Sequence, residues 1–483
     1  MAIRIEEHSA GIRVISDAWE IEHLKEAGGA WSSIVFRNGS RKNLLRNPVS
    51  SAIRFVRANP YSESGVFTAF AESHEHHPRL RHDVTPAGNP IVIAEGTFSD
   101  EHGKTIPVGY RRSTEYQPHG LIWTTLEIMS DCGCGDAVEL RAFGLALRPG
   151  MSGCSVRFHP SQAGGTSLLG ARASYDLSRA DATPFLSRFT PLQMLCRDKN
   201  GEGIELFPGS ELSQWDCGVR PDAGLGLYSV RHGESGTSLE LNPYCMALHR
   251  MGATLQGHLV FKLGIALPSG KAPASASNAQ VVLNSKWASD AEIDALANRG
   301  VKVIRFQNAY REDGPFWPAG AWTPYDDTNA SELRRVIERV HGCGMKIVPY
   351  LSLKEFHPQS RGFAEHAHEW MHKAAPSMAL IHNYAGSGEY GALMCLKSGW
   401  LPHLKQSVDR ILSSFQWDGL CLDWSESHPC CHSHHARGPF HTDVEGVADI
   451  LAHCRKQVGA GILMVVKPET PSWVCENLAD MYA

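Results

Sequence analysis

No apolar run in this chain of 483 residues approaches the ~20 that span a bilayer, so a membrane protein built on helices is not expected. The first residues, Met1-Ala2-Ile3-Arg4-Ile5-Glu6-Glu7, contain no apolar signal core, and the expected location is cytoplasmic. An excess of positive charge is missing too. The formal net charge is -5, which argues against nucleic acid as a partner, because that calls for a concentrated basic face. There is no compact disulfide framework either. The 13 cysteines are scattered along the chain and are read as reduced thiols.

What is present is the composition of a soluble globular protein, 42% hydrophobic and 20% charged, at a length that implies more than one domain. Residues 1–267 are rich in strand patterns: Leu121–Met129, Val138–Leu147 and Leu259–Leu267 alternate or run apolar, punctuated by turn formers such as Asp131-Cys132-Gly133-Cys134-Gly135-Asp136. This predicts an antiparallel β-sandwich. Residues 268–278, small, polar and Pro-containing, read as a linker.

From 279 to 483 short apolar strands alternate with helical stretches. Strands are predicted at Val281–Leu283, Val301–Phe306, Lys346–Leu351, Gly419–Leu422 and Ile462–Val466. Ser289 is expected to cap a helix that turns Ile293 and Leu296 inward, and a helix over Ser331–His341 is expected to stop at Gly342 and Gly344. Such alternation implies parallel strands in a (β/α) barrel. Five strands where a barrel takes eight, in fewer than the ~250 residues typical of one, predict a barrel truncated at its C-terminus; the alternative is an open barrel whose exposed sheet edge needs cover. On this reading Asp480-Met481-Tyr482-Ala483 begins an active-site loop.

The most informative segment is Asp418-Gly419-Leu420-Cys421-Leu422-Asp423-Trp424-Ser425-Glu426. A buried strand here delivers a carboxylate, an indole and a second carboxylate to its C-terminal end, where barrel active sites assemble. A carboxylate so placed can act as nucleophile or acid/base, and a Trp can stack on a sugar ring. Trp287, Asn308, Glu355 and Lys467 follow other predicted strands and would line the same face.

The Asp-Gly-x-x-x-Asp-Trp-x-Glu strand behind a large β-sandwich resembles the α-galactosidase and α-glucosidase clan of retaining glycosidases. The stretch from Cys395 through Ser398, Gly399 and Trp400 is similar to that clan's lead-in helix. The resemblance implies that Asp423 is the nucleophile and that the substrate is an oligosaccharide or glycoside, with no cofactor and no metal. The clan's acid/base follows a sixth strand, which is not found here. Glu469, after the fifth, is the carboxylate available for that role, as in α-amylase-type barrels. Glu355, Trp424, Glu426, His428 and Lys467, with Trp287 and Asn308, are the expected substrate contacts.

Two histidine clusters keep other readings open. His368-Glu369-Trp370-Met371-His372 matches H-E-x-x-H, which would set two zinc ligands on one helical face. His428-Pro429-Cys430-Cys431-His432-Ser433-His434-His435 has the residue types that zinc prefers, yet adjacent Cys430 and Cys431 do not readily share one ion. The alternatives are therefore a metal-dependent hydrolase and a non-catalytic carbohydrate-binding protein.

Overall fold

Alternation of buried and half-buried residues shapes two of the strands in the first part of the chain. Trp19–Leu24 turns Trp19, Ile21 and His23 inward, and Thr105–Tyr116 does the same with Val108, Tyr110, Arg112, Thr114 and Tyr116. A period of two is what a strand with one covered face requires. The structure, a computed structural model, describes residues 3–57, 66–158, 173–176, 185–186, 191–211, 228–233, 236–241, 244–245, 254–269, 288–306, 327–358, 360, 362–375, 377–383, 390–435, 441–466 and 472–482. The chain divides into two units, Met1–Gly270 and Lys271–Ala483.

Among the described residues the first unit holds two antiparallel sheets. A four-stranded meander runs through Arg4–His8, Gly11–Ile15, Trp19–Leu24 and Trp31–Phe36. It packs on a larger sheet through Trp19 against Tyr116 and Trp31 edge-on to Phe143, each with ring centroids 6.0 Å apart. The larger sheet is organised around one strand, Leu121–Leu147. The cysteine-glycine segment at 131–136 was expected to turn the chain, but the strand continues through it. Its register against Thr254–Ala266 shifts between Ser130 and Cys134 and again between Cys134 and Asp136. A bulge absorbs the extra residues and bends the strand without reversing it.

The second unit carries a parallel sheet whose strands lie in chain order: β1 (Val303–Phe306), β2 (Lys346–Ser352), β3 (Gly419–Asp423), β4 (Ile462–Val465) and β5 (Met481–Tyr482). Helices α1 (Asp290–Asn298), α2 (Asp327–Gly342), α3 (Phe363–Trp370), α4 (Trp400–Ser414), α5 (Val444–Val458) and α6 (Ser472–Leu478) precede or connect them. Ser289 caps α1 in a reciprocal capping box with Glu292, and Ile293 is buried, as the sequence predicts. α2 begins four residues before the predicted start. One sheet face packs Ile304, Phe306 and Ile347 against Ile293, Leu333, Val336 and Val340. The other gathers Val303, Val348, Tyr350, Cys421 and Met464.

Among the described residues the parallel sheet has five strands, fewer than the eight of a closed barrel. Val281–Leu283 lies outside the described residues. Met481–Tyr482, expected to open a loop, is instead a strand. Asp480 steers it there: its N–H donates to Leu463 O (2.7 Å), and its carboxylate accepts from Leu463 N (2.9 Å) and Arg455 Nη1 (2.6 Å). Two residues are too few to show a period.

The start of β3 is fixed by the Asp-Gly pair. Asp418 Oδ2 accepts from Ile347 N (2.8 Å) and His341 Nε2 (2.9 Å), while its carbonyl accepts from Ile462 N (2.8 Å), so one residue ties three strands together. A Cβ on Gly419 would sit 1.8 Å from Ile462 O, so only glycine allows β4 this close. Gly419→Ala is expected to lower stability by about 2 kcal/mol, read as a lower denaturant midpoint. An unchanged midpoint would show that the strands can part at no cost.

Candidate active site

Cys421 and Asp423 lie two residues apart on β3 and share a face, which puts Asp423 beside Tyr350 of β2. Tyr350 Oη donates to Asp423 Oδ2 (2.6 Å), and Trp424 N donates to Oδ1 (2.8 Å). Burial pushes the Tyr350 phenol far above its ordinary value, and the Asp423 charge pushes it the same way, so the phenol stays a donor. The Arg305 guanidinium, from β1, sits 5.4 Å from the Tyr350 ring centroid. Asp423 itself is only partly buried, with both oxygens oriented by neighbours.

Trp424 has φ +57°, in the left-handed region that bulky side chains seldom enter. Strain of that kind persists where surrounding structure imposes it, and it gathers at functional positions. The turn sets the Trp424 ring 5.1 Å from His382 and 6.3 Å from His428. His382, on Ile381–Asn383, donates through Nδ1 to Glu355 Oε1 (2.7 Å), and Glu355, in the short strand Glu355–Phe356 beyond β2, is buried. The hydrogen bond to Glu355 raises the His382 pKa against the opposing effect of burial, with Asp423 adding to the rise.

Behind these groups runs a buried polar chain. Glu426 Oε1 is 3.1 Å from His428 Nε2, and His428 Nδ1 is 3.0 Å from Lys354 Nζ. An ammonium only donates, so His428 Nδ1 accepts and its Nε2 carries the proton toward Glu426. Lys354 also donates to Asp443 Oδ2 (2.7 Å), and His372 Nε2 donates to the same oxygen (2.9 Å). Lys354, His372 and Asp443 are each fully buried. Burial alone would raise the Asp443 pKa, but the charges of Lys354 and His372 outweigh it and hold it well below the carboxylate range.

The structure therefore brings together Asp423, Trp424, Glu355, Glu426 and His428 from the expected set. Trp287, Asn308, Lys467 and Glu469 lie outside the described residues. The H-E-x-x-H motif is not on one helix: α3 ends at Trp370 and Met371 is extended, so His372 leaves the helix and pairs with Asp443. Tyr350, His382 and Asp443 were missed. Tyr350 lies inside a strand that reads as pure core, and an Asp just before a helix reads as a cap. Asp443 occupies that position on α5, yet its side chain makes no capping bond.

A family profile described as a domain of unknown function (DUF6259) matches residues 318–464. No curated protein sequence matches the chain. Among solved structures, the chain is similar to a variant of the GH36 alpha-galactosidase AgaA from Geobacillus stearothermophilus in complex with 1-deoxygalactonojirimycin. The identity is 9% and the TM-score 0.45, over 100% of this chain and 74% of that one. It is also similar to AgaB of the same organism, at 10% and 0.43 over 100% and 75%. For the alpha-galactosidase TtGalA from Thermus thermophilus in complex with stachyose the figures are 12% and 0.37, over 84% and 77%. Likeness at that level fixes neither chemistry nor substrate.

Removing Asp443 would leave Lys354 buried without its counter-ion. Asp443→Ala is expected to cost about 3–5 kcal/mol in chemical denaturation, and a loss under ~1 kcal/mol would show that the hub is not holding the charge. His382 gives a pH signature. Its folded pKa lies above the ordinary 6.5, so the stabilisation is full below that value and fades as pH rises through the folded pKa. In an NMR titration the His382 midpoint should exceed 6.5 and move back toward it in Glu355→Gln. Coincident midpoints would disprove the pairing.

Proposed function

We propose that the protein is a glycoside hydrolase that cleaves α-glycosidic bonds with retention, Asp423 being the nucleophile. The observation that carries this reading is the placement of Asp423. It is a partly exposed carboxylate at the C-terminal end of a central parallel strand, both oxygens held by donors, beside an indole in a strained turn. Rigidly aimed carboxylates of this kind suit attack on an anomeric carbon.

In the proposed cycle an Asp423 oxygen bonds to the anomeric carbon as the glycosidic C–O bond breaks, and a protonated carboxyl supplies the proton that leaves with the aglycone. Water then gives a proton to that same group, now a carboxylate acting as base, while its oxygen bonds to the anomeric carbon and displaces Asp423, which restores the original configuration. The acid/base stands about 5–5.5 Å from the nucleophile in such enzymes, and Glu469 is the residue proposed for it. The Tyr350 hydroxyl keeps Asp423 oriented and donates more weakly as the carboxylate becomes an ester. Trp424 offers an apolar face for a sugar ring, and the Glu355–His382 and Glu426–His428 pairs offer donors and acceptors to its hydroxyls. The resemblance of the Asp423 segment makes α-galactosides the first substrates to try.

Asp423→Ala is expected to cut turnover by about three orders of magnitude or more while the thermal midpoint stays near that of the unaltered protein. A mechanism-based fluorosugar should label Asp423, as seen by peptide mass spectrometry. Unchanged turnover in Asp423→Ala would sink the assignment. Glycan binding without turnover of any aryl glycoside would favour a carbohydrate-binding protein instead.

A further inference from the structure

Apart from Asp423, the second unit gathers four side chains of a different kind. Cys395 follows the strand Tyr390–Leu393, Cys430 and His441 are register partners in the short pair Pro429–Cys430 and His441–Thr442, and His435 follows Cys430 in a turn. All four are buried, and one ligand atom from each lies within 4.8 Å of the others. We propose that Cys395, Cys430, His435 and His441 bind one Zn²⁺ ion in a closed, structural site. This inference is independent of the glycosidase reading.

The distances have the right scale. Tetrahedral zinc with Zn–S near 2.3 Å and Zn–N near 2.0 Å has S···N edges of about 3.5 Å. Cys430 Sγ lies 3.6 Å from His435 Nδ1, and Cys395 Sγ lies 3.9 Å from His441 Nε2. The ligands are also prepared. His435 Nε2 meets the backbone carbonyl of Glu369, which can only accept, so Nε2 carries the proton and Nδ1 presents its lone pair to the cluster. Metal-binding histidines are commonly set by such a second hydrogen bond. His432 stacks on the His435 ring at 4.0 Å and 8° and limits its rotation. The N–H groups of Lys373 (3.5 Å) and His432 (3.4 Å) point at Cys430 Sγ, as suits a thiolate.

Without an ion the cluster is poorly satisfied. His441 Nδ1 has no partner among the described residues, and Nε2 faces only sulfur. Two thiols and two imidazoles buried together offer more lone pairs than donors. A cation supplies what they lack, and four protein ligands leave no open position for water, which marks the site as structural rather than catalytic. The spacing of His435 and His441, five residues apart in between, fits ordinary zinc ligation. Cys431 is outside the cluster, so its adjacency to Cys430 is no obstacle.

The test uses the whole chain purified without added metal or a metal-affinity step. Elemental analysis should find about one zinc per chain. Exchange with cobalt should give the intense visible bands of tetrahedral Co²⁺ together with a thiolate charge-transfer band. Cys395→Ser should weaken metal binding at least about tenfold and diminish the charge-transfer band, whereas Cys431→Ser should leave both unchanged. If Cys395→Ser fails to fold, the wild-type cobalt spectrum and Cys431→Ser still decide. Zinc well below stoichiometric with no tetrahedral cobalt spectrum would overturn the proposal, as would a Cys395–Cys430 disulfide in non-reducing peptide maps.

Discussion

The buried Asp443 carboxylate is the constraint on which the second unit's polar interior depends. One oxygen accepts from Lys354 Nζ, His372 Nε2 and Leu396 N, and the other accepts from His428 N. Those donors come from four segments: the turn after β2, the chain leaving α3, the end of Tyr390–Leu393 and the loop after β3. None of these segments has enough regular structure to hold its own place. An isolated buried charge is strongly unfavourable, but here a carboxylate, an ammonium and an imidazole share one buried site, the ammonium and the imidazole Nε2 both donating to the carboxylate. Breaking the set from one side exposes the cost of the other, so these segments are locked together.

That hub lies between two regions with different chemistry. Toward Asp423 it continues through Lys354 and His428 to Glu426, which is partly exposed. In the other direction His372 and Leu396 lead to Cys430 and Cys395. The Cys430 thiol is held far below its ordinary range, by Cys395 above all and then by His372, His435 and His441, against burial. The loop that begins at the proposed nucleophile thus ends in the thiol-imidazole cluster and returns to Asp443. A catalytic group on a strand end is only as well placed as the loop beside it, and this loop is fixed at both ends.

Legibility in the sequence followed range. β3 could be read because Asp418-Gly419 precedes three buried residues and a carboxylate, all within six positions. The α1 cap was readable because Ser289 stands just before the helical stretch that carries Ile293 and Leu296, while its reciprocal partner Glu292 emerged only in the structure. The 131–136 segment was misread because Gly-rich composition marks both turns and bulges, and only the partner strand distinguishes them. β5 is too short to carry a period. The thiol-imidazole cluster was half visible. His435 and His441 have a ligand-like spacing, but Cys395 is 35 residues before Cys430 and only the fold pairs them.

The strained Trp424 connects these observations. A bulky residue in the left-handed region costs of order 1–3 kcal/mol, and the local contact set against it is the Trp424 N–H bond to Asp423 Oδ1. The far end of the loop is anchored as well: His428 is held by Lys354 and Asp443, and Cys430 by backbone N–H groups. With those anchors set, the chain between Asp423 and His428 has few conformations open to it. The observed one turns the indole and Glu426 toward His382 and His428 rather than away. The geometry beside Asp423 is therefore a consequence of buried polar contacts behind it, and substitutions in that interior should be felt at the strand end even though they touch no surface there.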